Sequence, residues 1–254
     1  MFIKIKFAVT AAIAVLLAAC GGGNGGSEGG VEGAKVSVEG AWQGTLSNND
    51  VVNIIALENN EFYTIFGVMN GSNLLVDGFD QGTVTVSGSS LSGSLREYPN
   101  GLASYAGTLA ATAVAATSIT GSTTYSTGSL TFAVRPIPTT IFDYNRAASI
   151  SDVVGSWTGT LSSGSAGTVT ISNTGMVSGA SAGCLFGGTA TPRSSGKNVF
   201  NVSVTFGGAP CALAGQTATG IAVNYAISGT AQKQLIVAVQ DSSKQYGAMF
   251  FARR

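Results

Sequence analysis

GSWTGTL, residues 155 to 161, restates GAWQGTL, residues 40 to 46, almost letter for letter. The likeness extends to the far end of each stretch. The first runs from GAWQGTL to SLTFAVR, closing on Arg135, and the second from GSWTGTL to GAMFFARR, with Arg253 after the same aromatic-and-small strand. Each unit opens on Trp and ends on Arg about 95 residues later, a period that indicates two domains and not a solenoid. Between them PIPTTIFDYNRAASISDVV carries two prolines and a segment suited to one helical turn, with Ser149 or Ser151 as its cap.

Alternation and turn chemistry divide both units into short strands. In the second unit they fall at 156–161, 166–172, 175–180, 184–191, 198–206, 218–227, 234–240 and 246–253. Turns are supplied by Asn173-Thr174-Gly175, Ser194-Ser195-Gly196, Gly207-Gly208-Ala209-Pro210 and Asp241-Ser242-Ser243. NVFNVSVTF places Phe200, Val202, Val204 and Phe206 on one face, and IAVNYAI places Ile221, Val223, Tyr225 and Ile227 inward. The first unit parses into 41–47, 51–58, 61–68, 74–86 with a break at Asp77-Gly78, 90–97, 104–112, 117–125 and 129–135. Its VVNIIAL and FYTIFGV strands are apolar on both faces, as expected of strands covered by the neighbouring domain or forming a binding patch. Eight short antiparallel strands are enough to close a small barrel and remove the sheet edges. The expected fold is all-β: two tandem small antiparallel eight-stranded barrels, domain 1 at 36–135 and domain 2 at 151–254, joined by a linker at 136–150. A membrane-spanning barrel needs strands of about 9 to 11 residues with lipid-facing apolar bands, which these strands do not match.

Composition narrows the chemistry. The 254 residues include no histidine, so there is no imidazole base, no Ser-His or Cys-His pair and no histidine metal ligand. Only 9% of residues are charged. Nothing in that balance recommends nucleic acid as a partner.

The chain begins MFIKIKFAVTAAIAVLLAAC: Lys4 and Lys6 in a basic head, an apolar run from Phe7 to Ala19, then Cys20. This has the form of a signal peptide over 1–19, too short an apolar run to remain as a spanning helix. Leu17-Ala18-Ala19-Cys20 resembles the lipobox of bacterial lipoproteins. That resemblance implies cleavage before Cys20, acylation of its thiol and amino group, and, with Gly21 following, an outer-membrane lipoprotein. Loss of Lys4 and Lys6 leaves 10 basic against 12 acidic side chains, a net charge of −2. GGGNGGSEGGVEG, residues 21 to 33, is suited to a flexible tether over 20–35. In an exported protein the remaining pair, Cys184 and Cys211, reads as a disulfide, contributing roughly 3 to 4 kcal/mol by closing its loop.

Gly-x-Trp on the first strand and Arg on the last of each unit resemble the lipocalin and wider calycin pattern, in which the indole plugs one barrel end and the guanidinium packs across it. The resemblance implies that Trp42 meets Arg135 and that Trp157 meets Arg253, held by cation–π attraction.

Three further motifs have catalytic or metal-binding readings. Gly179-Ala180-Ser181-Ala182-Gly183 matches a nucleophile elbow but lacks the strand-to-helix setting and the histidine. Ser194-Ser195-Gly196-Lys197 matches S-x-x-K, in a context that favours a hairpin turn over a helix. Asp77, Asp80 and the turn Asn48-Asn49-Asp50 offer oxygens to calcium at spacings unlike known calcium loops. No catalytic residue, metal or cofactor is assigned. The leading expectation is a non-enzymatic, lipid-anchored cell-envelope protein with a structural or binding role, its partners the membrane and an envelope protein. The alternative is a calycin-like carrier or sensor of a small apolar ligand, against which the large residues Phe200, Phe206 and Tyr225 weigh by filling a narrow barrel. A serine/lysine hydrolase using Ser194 and Lys197 is the third.

Overall fold

The computed structural model describes residues 35–99, 103–161 and 163–254, so the expected signal peptide over 1–19, Cys20 and the expected tether as far as residue 34 lie outside the described residues. The first barrel comprises β1 (Gly40–Leu46), β2 (Val51–Ala56), β3 (Glu61–Asn70), β4 (Asn73–Ser87), β5 (Ser90–Pro99), β6 (Tyr105–Val114), β7 (Ser118–Tyr125) and β8 (Gly128–Pro136). The second comprises β9 (Gly155–Leu161), β10 (Ala166–Ile171), β11 (Met176–Ser181), β12 (Cys184–Pro192), β13 (Phe200–Phe206), β14 (Thr217–Ala226), β15 (Lys233–Asp241) and β16 (Gly247–Arg253). Each strand pairs antiparallel with its sequence neighbours, and β1 with β8 and β9 with β16 close the two barrels. The expected all-β class and the two eight-stranded barrels are both present.

Local chemistry sets the turns. Asn48 and Asn59 each accept a backbone hydrogen bond two residues on, from Asp50 and Glu61. Asn49 and Asn60 then take positive φ, 73° and 64°, which asparagine tolerates better than most residues. The expected helical turn is a 3-10 turn at Ile150–Asp152 with Ser149 at its cap position. The Ser149 hydroxyl bonds to that of Ser151 and not to the turn's backbone. Cys184, the first residue of β12, is joined by a disulfide to Cys211 in the loop before β14.

Three hydrophobic cores result. One fills the first barrel with residues such as Trp42, Phe62, Leu91 and Phe132, and one fills the second with Trp157, Phe200, Phe206 and Phe250. The third lies between the barrels, drawing Ile55, Tyr63, Ile65, Phe79 and Tyr98 from one and Ile221, Val223, Tyr225, Ile236 and Met249 from the other. Domain packing is therefore what makes VVNIIAL and FYTIFGV apolar on both faces. The same core corrects the reading of IAVNYAI: Ile221, Val223 and Tyr225 point out of their barrel into the shared core, while Ala218 and Ala222 face its interior. Alternation identifies two faces but does not say which is inside when both are buried.

The shared core is held at polar points as well. Gln234 exchanges two hydrogen bonds with the backbone of Leu74, and Tyr98 Oη donates to Gln240 Oε1 at 2.7 Å. Ion pairs Arg193–Glu58 at 2.8 Å and Lys197–Glu39 at 2.9 Å also join the barrels. Phe79 and Tyr98 stack with centroids 4.5 Å apart, against Gly247 of β16. A Cβ on Gly247 would meet Tyr98 Cδ1 at 2.6 Å, so the close approach of the barrels requires glycine there.

Both tryptophans plug their barrels by one device. Trp42 Nε1 donates to the Val38 carbonyl at 2.9 Å and Trp157 Nε1 to the Val153 carbonyl at 2.7 Å, four residues back in each case. The arginine partners differ from expectation. Arg254, not Arg253, lies over the Trp157 ring at 4.2 Å and donates to the Val154 carbonyl at 2.8 Å. Arg253 and Arg135 are both exposed, Arg135 standing opposite Gln43 with Pro136 opposite Trp42. Successive strand residues face opposite sides, so the position that can reach the indole is one beyond the arginine the two units share. Only the second unit places an arginine there.

Trp157→Ala should lower stability by roughly 3 to 5 kcal/mol, as loss of a large buried aromatic does. Arg254→Ala should lower it by about 0.5 to 1 kcal/mol, the range of an exposed cation–π contact. Arg253→Ala should change it by less than about 0.5 kcal/mol, as an exposed residue without such a contact. Denaturant unfolding of the three variants checks this order, and a larger loss at Arg253 than at Arg254 would contradict the assignment.

Candidate functional site

The interiors of the two barrels are filled to different extents. In the second, Phe186, Phe206 and Phe250 and aliphatic residues leave about 50 Å³, bounded by apolar side chains alone. The first encloses a cavity of about 190 Å³, where Ala56, Ala111, Thr64 and Thr123 stand at inward positions and leave the space open. Phe62, Leu91, Leu109 and Phe132 supply the apolar wall. Phe200 and Phe206 do fill the second barrel, as anticipated, but Tyr225 lies in the shared core and fills neither.

Polar groups are concentrated on β4, β5 and β7. Asp80 of β4 stands opposite Glu97 of β5 in the ladder, and both line the cavity. Tyr125, the last residue of β7, donates its hydroxyl to Asp80 Oδ1 at 3.2 Å. Asp80 is only 3% exposed. Burial pushes its carboxyl well above the ordinary aspartate range, the neighbouring Glu97 charge adds to this, and the Tyr125 hydrogen bond opposes it. Burial also raises Glu97. The Tyr125 phenol is raised too, first by burial and then by the Asp80 charge. Asn48 and Asp50 of the β1–β2 turn complete the polar lining.

A β-bulge aims Asp80 inward. Phe66 pairs with Gly78 but Gly67 with Val76, so Asp77 is an extra residue in β4. Before it, Leu74 and Val76 face the shared core; after it, Phe79 does. The insertion reverses the parity of the strand and sends Asp80 into the barrel. Gly67 permits this crowding, because a Cβ there would collide with the Leu75 carbonyl oxygen. Asp77 itself is exposed, so the Asp77 and Asp80 considered together as calcium donors stand in different environments. Among the described residues no group of three acidic or cysteine side chains is placed to hold a metal ion.

The serine motifs fall elsewhere. Ser181 ends β11 and donates to the Ala166 carbonyl at 2.8 Å. Ser194 lies exposed in the turn after β12, and Lys197 is engaged with Glu39 at 2.9 Å and Asn145 at 3.0 Å, with its ammonium 5.2 Å from the Tyr144 ring centroid. No serine hydroxyl bonds to Lys197 among the described residues. Sequence reasoning did not select Glu97 or Tyr125. The available signal was phase: Glu97 is in step with Leu91 and Leu95, and Tyr125 with Ile119, so each continues an inward apolar face.

No family model matches this chain, and no curated protein matches it. A crystal structure of a protein of unknown function from the DUF3598 family of Nostoc punctiforme is similar at 13% identity, over 85% of this chain and 95% of that one, with a TM-score of 0.26. At that score the functional reading rests on this chain's own geometry.

The buried carboxyl makes a stability prediction. Because the folded pKa of Asp80 lies above its unfolded value of about 3.9, the folded state holds the proton more tightly, and stability falls as pH rises through and above that value. Asp80→Asn keeps an acceptor for Tyr125 and removes the cost of ionising a buried carboxyl. The variant should therefore melt above the wild type at pH 7, with the gain shrinking as pH approaches about 4. Thermal unfolding across that range measures it; a variant destabilised at pH 7 and unaffected at pH 4 would reverse the sign.

Proposed function

We propose that this protein is a non-enzymatic, lipid-anchored envelope protein whose first barrel is a calyx for a small, largely apolar ligand, making it a carrier or sensor. The cavity inside the first barrel carries this reading, since it is several times larger than its counterpart in the second. A duplicated fold in which one copy is packed and the other hollow fits a division between support and binding. Small ligand sites are concave and mostly apolar with a few placed polar groups, which describes the wall of Phe62, Leu91 and Phe132 with Asp80 and Tyr125 among them. An apolar cavity of about 150 Å³ is enough for a benzene-sized molecule, so this one suits a ligand of that order.

The anchor is proposed on the lipobox resemblance, Leu17-Ala18-Ala19-Cys20, and on the glycine-rich stretch after it. Acyl chains on Cys20 would hold the barrels at the outer membrane, since one chain alone binds marginally and two or more bind stably.

A panel of hexanol, hexylamine, hexanoate and toluene tests the calyx by thermal shift. At least one member should stabilise the protein, by roughly 2.7 kcal/mol at a hundredfold excess over Kd. Ala111→Phe, which fills the cavity, should abolish the shift. No shift with any member, or a shift that survives in a folded Ala111→Phe variant, would remove the reading. Cys20→Ala should release the protein from membranes into the soluble fraction, and a variant that stays membrane-bound contradicts the anchor.

A further inference from the structure

The charged groups on the wall of the first barrel's cavity all carry one sign. Asp80 and Glu97 sit inside, with Asp50 on the β1–β2 turn, and none of the lining residues is basic. We infer that this cavity selects a small primary amine, with its apolar body in the calyx and its ammonium at Asp80 and Glu97. The inference rests on the reading of the first barrel as a ligand calyx and specifies what that calyx prefers.

The hydrogen-bond inventory supports it. An ionised carboxylate accepts at about four positions. Among the described residues Asp80 accepts a side-chain hydrogen bond only from Tyr125, and the Glu97 carboxylate accepts none. Arg96, the nearest cation in sequence, points the other way, donating to Ser104 Oγ at 2.9 Å. Directly opposed residues on neighbouring strands hold their Cβ atoms about 5 Å apart, so one small donor group can address both carboxyls. An ammonium has three N–H donors and no acceptor. Asp80, Glu97 and Tyr125 Oη, a hydroxyl that accepts as well as donates, offer it three acceptors.

Charge makes the same selection. Two like charges facing one enclosed space oppose each other's ionisation, and burial opposes both. A bound cation reverses each effect, a neutral head leaves them in place, and an anion worsens them. The groups facing Asp80 from the surrounding elements are Thr64 on β3, Glu97 on β5 and Thr123 and Tyr125 on β7, none of which supplies a positive charge.

Isothermal titration of the full-length protein at pH 7 with hexylamine, hexanol and hexanoate tests the preference. Hexylamine should bind roughly tenfold or more tighter than either analogue, the scale of a charge-assisted hydrogen bond. Asp80→Asn should weaken hexylamine roughly tenfold while changing hexanol by less than about twofold. Glu97→Gln, on the less buried of the two carboxyls, should shift affinity the same way and guards against a folding defect in the first variant. Hexanol or hexanoate binding as tightly as the amine, or both variants retaining full amine affinity, would overturn the amine preference and leave the calyx standing. Absence of binding by every compound would instead remove the calyx reading beneath it.

Discussion

The core between the two barrels is the constraint on which the rest of the molecule depends. A closed eight-stranded barrel needs only one apolar face per strand, yet β3, β14, β15 and β16 bury both faces because the second packs against the other barrel. Stacked Phe79 and Tyr98 sit against the bare backbone of Gly247, and Tyr98 then spends its hydroxyl on Gln240 across the interface. Polar groups this deep cost stability unless bonded, so the Tyr98–Gln240 and Gln234–Leu74 pairs fix the relative position of the barrels as well as holding them together. Leu74, Val76 and Phe79 all belong to this core, and keeping all three there is what demands the bulge at Asp77. The inward aim of Asp80 is thus a consequence of how the outside of its barrel packs.

Strand count and closure were legible because each depends on local pattern, period-two alternation and turn residues, while the tryptophan plugs were implied by the calycin resemblance of the repeated Gly-x-Trp. What escaped depends on parity across an interruption or on a partner far away in sequence. Arg254 lies one residue past the arginine that both units share, and one residue is the whole difference between facing the indole and facing water. Tyr225 alternates faultlessly with Ile221 and Val223, yet the face it shares looks outward, where the neighbouring barrel buries it. Asp80 reads as a turn or metal residue in the string Asp77-Gly78-Phe79-Asp80, and its position follows only from the bulge. The two cysteines needed no such context, since an expectation of export and an even count were sufficient to pair them.

The two copies of the unit also show how duplication permits asymmetry. The second barrel has a cation on its indole, a disulfide between β12 and the loop before β14, and a nearly filled lumen. The first has Pro136 where a plugging arginine would stand, and a hollow holding a buried carboxyl. Each of these departures costs the first barrel something: missing packing in the cavity and the desolvation of Asp80 and, to a lesser degree, of Glu97. A free-standing domain of that size has a narrow margin for such losses. Bound through the shared core to a well-packed partner, the first barrel can carry them, and defects that a packing argument would remove are concentrated in one enclosed space. Local violations gathered at one point on an otherwise consistent fold are the usual mark of a site where binding, and not stability, decides the residue. That concentration, together with the volume of the cavity, is what favours the proposed calyx over an imperfectly filled core.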